Sequence, residues 1–166
     1  MTIAVYDMTV PIFTRMLTNL QAIMDKADTN ASERKFDPKV LCDMRLAPDM
    51  IPFRGQVMIA TDHVKGCVCR LAGREVPSWP DTEQTLPELK ARIQKALDLL
   101  GTITPEELEG SEARQVILKL RGEEVVLAGQ DYLTRMALPN FFFHVTTAYA
   151  ILRHAGVPLG KRDYIG

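Results

Sequence analysis

The chain has 166 residues, of which 46% are hydrophobic and 25% are charged, as expected for a globular domain rather than a disordered or fibrous chain. Its 20 Lys and Arg residues balance 21 Asp and Glu residues, so no excess of positive charge attracts it to nucleic acid or anionic lipid. No apolar run approaches the roughly 20 residues of a membrane span, and the N-terminus lacks the basic segment of an export signal. We therefore expect a single cytoplasmic domain over residues 1–166, with no nucleic-acid or membrane partner.

The first two predicted helices follow apolar residues that recur at intervals of three and four, the pattern of an amphipathic helix. Their stripes are Val10, Phe13, Leu17, Leu20, Met24 and Ala27, and then Phe53, Val57, Ala60, Val64, Cys67 and Leu71. Thr9 can cap the first helix, which places Pro11 in its first turn; otherwise Pro11 kinks a helix that starts earlier. Gly73 is a typical residue for the end of the second helix.

The third and fourth predicted helices have equally clear boundaries. Thr85 and Glu88 have the spacing of a capping box at the start of the third helix. The fourth helix begins at Pro139 and ends before Gly156. Their apolar stripes are Leu89, Ile93, Ala96 and Leu100, and then Phe141, Val145, Ala148, Leu152 and Ala155.

Between these two helices, residues 112–129 alternate apolar and polar side chains around Arg121 and Gly122. This pattern predicts a β-hairpin with a glycine turn. A short helix over residues 132–137 can follow, and Leu138 is expected to leave helical geometry because it precedes a proline.

Four amphipathic helices with one stripe each can bury those stripes against one another, which predicts an all-α four-helix bundle with a small β-hairpin inserted between helices three and four. The long connections between helices leave both up-down-down-up and up-down-up-down topologies open. The run of phenylalanines at residues 141–143 is too broad for one stripe, so one ring must face another element or a second subunit. A homodimer is therefore a plausible assembly.

Two of the three histidines occupy equivalent positions on two helices. His63 directly precedes the stripe residue Val64, and His144 directly precedes Val145. If the second and fourth helices pack face to face, both imidazoles face one cavity. Asn140 lies four residues before His144 and therefore on the same side of the helix. Two nitrogens and one amide oxygen are fewer strong ligands than a catalytic metal usually has, so satisfied histidines beside the core are the more common interpretation.

Three blocks of the sequence resemble a known family. Residues 138–160 (LPNFFFHVTTAYAILRHAGVPLG), 46–50 (LAPDM) and 62–73 (ending RLAG) resemble a branch of the DinB/YfiT-like superfamily that is catalogued only as a domain of unknown function. The resemblance implies an up-down-down-up four-helix bundle, often a homodimer. It also implies a metal site formed by one histidine on helix two and an H-x-x-x-H pair on helix four.

Carried over by position, His63 matches the first metal ligand of the superfamily and His144 the second histidine of the pair. Asn140 stands where the remaining histidine is expected. The resemblance thus implies His63, His144 and Asn140 as ligands of a divalent metal, zinc or nickel, that activates a thiol or water. Two functions follow as alternatives. The first is a metal-dependent transferase or hydrolase acting on a small electrophile. The second is a non-catalytic, dimeric small-molecule-binding or stress-associated protein with a degenerate metal site.

Overall fold

The computed structural model describes residues 3–120 and 122–166, and these residues form a mostly helical fold with one two-stranded antiparallel sheet. The elements in chain order are α1 (Val10–Glu33), α2 (Lys39–Asp43), α3 (Phe53–Ala72), α4 (Leu86–Leu100), α5 (Pro105–Leu108), β1 (Gln115–Leu120), β2 (Glu123–Ala128), α6 (Gly129–Tyr132), a π-helical segment (Leu133–Ala137), α7 (Leu138–His154) and α8 (Lys161–Ile165). The four predicted stripes lie on the four long helices α1, α3, α4 and α7, except that Ala155 directly follows the end of α7.

The end of α3 and the start of α4 follow the local sequence signals, whereas the starts of α1 and α7 do not. The Glu88 carboxylate accepts a hydrogen bond from the backbone N–H of Thr85 at 2.9 Å, and the backbone N–H of Glu88 donates to Thr85 Oγ1, which completes the predicted capping box. Gly73 ends α3 with a φ of 70°. Thr9 precedes α1, but its hydroxyl donates to the carbonyl of Val5 at 2.8 Å instead of capping the helix. The turn before α1 brings that carbonyl within reach, so the predicted side-chain cap is wrong.

The apolar stripes of the long helices meet in one core. Helix α3 packs against α4 and α7, and α1 packs against the same two helices. The largest fully buried side chains are Phe13, Leu17, Leu20, Ile23, Met24, Leu41, Phe53, Leu71, Leu89, Ile93, Leu100 and Phe141. The rings of Phe13 and Phe141 meet edge to face with centroids 4.8 Å apart. Because each such side chain contributes about 1.5–3 kcal/mol when buried, packing of the stripes dominates the stability of the helices.

The β-hairpin lies between the third and fourth long helices, as predicted. Val116 pairs with Leu127, and Ile117 pairs with Val126. Since successive side chains of a strand point to opposite faces, Val116 enters the core while Ile117 and Val126 stay exposed. The predicted turn residue Arg121 lies outside the described residues.

The start of the fourth long helix differs from the prediction. Leu138 does not leave helical geometry, since its φ of −63° and ψ of −49° are right-handed helical values. The π-helical segment Leu133–Ala137 directly precedes it. Pro139 lacks an N–H group, and in an α-helix its ring crowds the carbonyl one turn earlier. The wider π-helical turn makes room for the ring, so the chain remains helical from Gly129 onward.

Helix α8 is tied to the side of α1. Asn19 donates to the carbonyl of Tyr164 at 3.0 Å, and Arg15 donates to the carbonyl of Ile165 at 2.7 Å. None of the helices in the described part of the chain is long and apolar enough to cross a membrane.

Candidate functional site

The structure brings His63 on α3 and His144 on α7 together. Their ring centroids lie 5.8 Å apart, and the rings are nearly parallel at 17°. His144 is buried, with 8% of its surface exposed, and His63 is half-buried. The two imidazoles are close because α3 and α7 pack face to face and each histidine sits at the edge of its apolar stripe. We call these two residues the histidine pair.

Gln56 fixes the tautomer of His144. Its side-chain N–H group donates to the carbonyl of Ile51 at 2.9 Å, and that carbonyl can only accept. The Gln56 Oε1 atom therefore faces His144 Nδ1 at 2.7 Å. Nδ1 must carry the proton, which leaves the lone pair of Nε2 free to accept a hydrogen bond or bind a ligand.

Both members of the histidine pair are neutral at pH 7. Burial and, to a smaller extent, the neighbouring His63 lower the pKa of His144 to about 4. Burial also lowers the pKa of His63, with a smaller contribution from the positive charge of Arg70, while the negative charge of Asp62 opposes the shift. A group with a pKa near 4 is a weak base at neutral pH, so His144 is better suited to accept a hydrogen bond than to take up a proton.

Asn140 lies one helical turn before His144 and is half-buried. Its Nδ2 donates to the backbone carbonyl of Met136 at 2.7 Å, which leaves Oδ1 as its free end. No group of three or more His, Cys, Asp or Glu side chains that could hold a metal ion occurs in residues 3–120 and 122–166. Two imidazoles and one neutral amide do not fit the three strong protein ligands of a catalytic zinc site. The proposed roles of His63, His144 and Asn140 in metal binding therefore stay predictions.

Arg70 on α3 contacts Tyr132 on α6, and the sequence analysis missed both residues. Arg70 Nη1 donates to Tyr132 Oη at 3.2 Å, and the guanidinium lies over the Tyr132 ring with its carbon 5.9 Å from the centroid. Gln56, His63 and Arg70 are spaced by seven residues, which places them on one face of α3. That spacing is the signal that could have identified them together.

A second polar cluster lies on the α4 side of α3. Asp62 and Lys65 form an ion pair at 2.7 Å, as their spacing allows, but the Lys65 side chain is only 9% exposed. An Asp and a Lys three residues apart on a helix usually form a solvated surface pair, but this pair is largely covered. Trp79 covers Lys65, with the ammonium 4.7 Å from the ring centroid, and Arg92 from α4 also binds Asp62 at 2.9 Å.

The cysteines do not provide a reactive nucleophile. Cys42, Cys67 and Cys69 are buried and free of disulfides. Burial raises the pKa of Cys42 to about 11 and also raises the pKa of the other two thiols. Because the thiolate is the reactive form, these side chains act as small core residues.

Two cavities lie away from the histidine pair. One of about 780 Å³ is lined by residues 3–6 and 8 before α1, by residues 105, 106, 108–110 and 112, and by residues 130, 133 and 134. The other, of about 340 Å³, lies beside Trp79. Neither histidine lines them, so a ligand cavity shared by His63 and His144 stays a prediction.

Comparison with known proteins identifies the family. Residues 5–165 match the family described as Domain of unknown function (DUF1993). The chain belongs to the DUF1993 family. This match covers nearly the whole chain, including the three sequence blocks on which the resemblance was based.

A solved structure connects this DUF1993 chain with the DinB proteins. A crystal structure of a DinB family member protein from Shewanella denitrificans is 42% identical and superposes with a TM-score of 0.92, covering 97% of this chain and 91% of that one. The predicted DinB-like fold is thereby confirmed. The comparison with curated proteins gave no match. The geometry of the site is therefore the basis for inferring the function of this chain.

Proposed function

We propose that this DUF1993 protein is a small-molecule-binding bundle in which the histidine pair contacts the ligand. The observation that carries this proposal is the hydrogen bond between Gln56 and His144 Nδ1. It holds a neutral imidazole with one free lone pair directed away from Gln56. A fixed acceptor of this kind supports recognition of a ligand O–H or N–H group, because polar groups in a pocket determine ligand orientation.

A metal-dependent transferase or hydrolase is the second candidate. The same hydrogen bond favours it, since metal-binding histidines usually donate their other ring N–H to a neighbouring acceptor. If a divalent metal binds, His63 and His144 would hold it with Asn140 as a weak third ligand, and the metal would activate a thiol or water. The shortage of strong ligands is the reason to rank this candidate second.

Calorimetric titration with zinc and nickel separates the two candidates. We expect native, tag-free protein to bind neither ion with a sub-micromolar Kd, and Asn140→His to gain affinity by adding a third imidazole. His63→Ala should abolish that gain, whereas His154→Ala, which removes an exposed histidine, should preserve it. Sub-micromolar binding of one ion by native protein that is lost in His63→Ala would overturn the ranking in favour of the metalloenzyme.

We also propose the up-down-down-up arrangement over one domain of residues 1–166. Contacts between helix ends support it. Phe13 and Phe141 meet near the starts of α1 and α7, and Arg34 donates to the carbonyl of Ala155 at 3.1 Å near their ends. Nuclear Overhauser contacts within each of these two pairs of residues test the arrangement. Contacts of the Phe13 ring with Ala155 would contradict it.

Contacts between helix ends also support a parallel arrangement of α3 and α4. Arg54, near the start of α3, donates to Gln84 at 2.9 Å, and Arg74, beyond its end, donates to Thr102 at 2.8 Å. Gln84 precedes α4 and Thr102 follows it. These contacts support the two central helices running parallel.

We propose a homodimer because the ring of Phe143 is exposed. This side chain is 57% exposed although it packs edge to face against His144 at 5.2 Å. Large exposed aromatic residues beside a site favour an interface. We expect light scattering to give a dimer mass that Phe143→Ser reduces to the monomer, while Ile117→Ser on the hairpin leaves it unchanged. A monomer mass for native protein across micromolar concentrations would contradict the dimer.

A further inference from the structure

Arg70 has an unusual setting in the last turn of α3. Its side chain folds back along the helix, so that a side chain added at Gly66 would overlap Nη1 of Arg70. Tyr132 Oη accepts the one hydrogen bond that the Arg70 side chain donates within residues 3–120 and 122–166. The absence of a Cβ at residue 66 thus creates the space that the guanidinium occupies.

No carboxylate in the described ranges lies within 4.0 Å of the Arg70 guanidinium. The side chain is half-buried, so water screens its charge only in part. The remaining N–H groups form the planar edge with which a guanidinium binds a carboxylate through two parallel hydrogen bonds. Arg70 therefore presents a positive charge and free donors that no anion among the described residues satisfies.

The guanidinium lies close to the histidine pair. Gly66 follows His63 by three residues, a rise of about 4.5 Å along a helix, and Arg70 folds back over Gly66. The pKa of His63 is lowered in part by the charge of Arg70, which agrees with this short separation. Arg70 and His63 thus share one side of α3, and His144 on α7 packs against His63.

We propose that the site takes a small organic carboxylate, whose carboxyl group binds the Arg70 guanidinium while its polar remainder contacts the histidine pair; this inference rests on the proposed function. A single charge favours a carboxylate over a doubly charged phosphate. Both imidazoles are neutral, and the ammonium of Lys65 is already paired with Asp62. Gly66 and Tyr132 are the positioning residues that hold the guanidinium in place.

Titration with sodium acetate and sodium benzoate, followed by the Nε–Hε signal of Arg70 in ¹H–¹⁵N spectra, tests this inference. We expect saturable shifts with both carboxylates and no shifts with the neutral analogue benzamide. Arg70→Gln should weaken binding at least tenfold, and Gly66→Ala should do the same by displacing the guanidinium. The matched control is Arg153→Gln, which removes an exposed arginine of α7 and should leave the affinity unchanged.

The inference is overturned if neither carboxylate shifts the Arg70 signal of native protein, or if folded Arg70→Gln and Gly66→Ala both retain native affinity. The imidazole signals distinguish this failure from failure of the proposed function. If benzamide shifts the His63 and His144 signals equally in native protein and in Arg70→Gln, the histidine pair is the ligand site. The inference that the ligand is a carboxylate is then overturned. Carboxylate binding that depends on Arg70 but is unaffected by His63→Ala supports the anion site and overturns the role of the pair.

Discussion

Arg92 and Arg70 lie on opposite sides of α3 and differ in their partners. The Arg92 guanidinium is almost fully buried and pairs with three carboxylates, those of Asp62, Asp81 and Glu83, at 2.9–3.1 Å. Arg70 donates one hydrogen bond to a tyrosine hydroxyl and pairs with no carboxylate in the described residues. The first arrangement attaches the segment before α4 to the bundle, and the second leaves donors available. The comparison separates a buried charge that holds structure from one suited to a ligand.

The largest expected effect comes from removing the paired arginine. Arg92→Met should lower the free energy of unfolding by about 3 kcal/mol, because it leaves Asp81 and the largely buried Glu83 without their cation and leaves Asp62 with Lys65 alone. Urea unfolding at pH 7 measures this loss. Arg153→Met, which changes an exposed residue, should cost less than about 0.5 kcal/mol. Equal effects of the two substitutions would show that the Arg92 cluster contributes little.

Acidification tests the neutrality of the site next to Arg70. The folded pKa of His144 is about 4, below the ordinary value of 6.5, so between these values the unfolded chain binds a proton that the folded chain does not. The contribution of neutral His144 to the free energy of unfolding is present above pH 6.5 and is lost as the pH falls towards 4. We expect stability to drop by about 2 kcal/mol from pH 7 to pH 5 on this account.

The measurement compares urea unfolding at the two pH values in the presence of a chelator. His144→Gln should remove this part of the pH dependence, and His154→Gln should retain it because His154 is exposed. An identical pH dependence in native protein and His144→Gln would contradict the lowered pKa.

Gln56→Leu should have a smaller effect on stability and a distinct spectroscopic signature. The substitution leaves the Ile51 carbonyl and the His144 Nδ1–H group without partners, at a cost of about 1–2 kcal/mol. Ring ¹⁵N shifts of His144 should change from a single Nδ1–H tautomer to a mixture. Gln94→Leu on the exposed face of α4 provides the control. Retention of the single tautomer in Gln56→Leu would show that another group fixes it.

The smallest effect is expected for Arg70 itself. Arg70→Gln should lower the free energy of unfolding by less than about 1 kcal/mol, because it removes one hydrogen bond to Tyr132 and strands no carboxylate. Urea unfolding of Arg70→Gln and Arg92→Met under the same conditions compares the two losses of stability. A loss as large as that of Arg92→Met would indicate that Arg70 also serves mainly to hold the fold.

The positions of the long helices could be predicted because their signals are local. The capping pair Thr85 and Glu88, the terminal Gly73 and the stripes themselves act over a few residues, and the hairpin alternation does the same. The π-helical segment was missed because the usual effect of Pro139 on the preceding residue is overridden by a change in helical pitch. That change depends on the packing of the whole segment.

The histidine pair could be anticipated from equivalent positions on two stripes, but its partners could not. Gln56 contacts His144 only after α3 and α7 pack, and Arg70 approaches His63 only because it folds back over Gly66. The burial of Lys65 was missed for a related reason. An i,i+3 ion pair has the same sequence pattern whether it faces solvent or, as here, lies beneath Trp79.

The π-helical segment Leu133–Ala137 holds one residue more than a regular helix would need before α7. A π-turn contains about one residue more than an α-turn, and both complete one full turn of the helix. Deleting one residue from this segment would therefore let a regular α-turn form while Tyr132 keeps its direction relative to α7. The cost would fall on Pro139, whose ring would crowd the carbonyl one turn earlier. The chain at this point can thus lose one residue without turning the tyrosine hydroxyl away from Arg70.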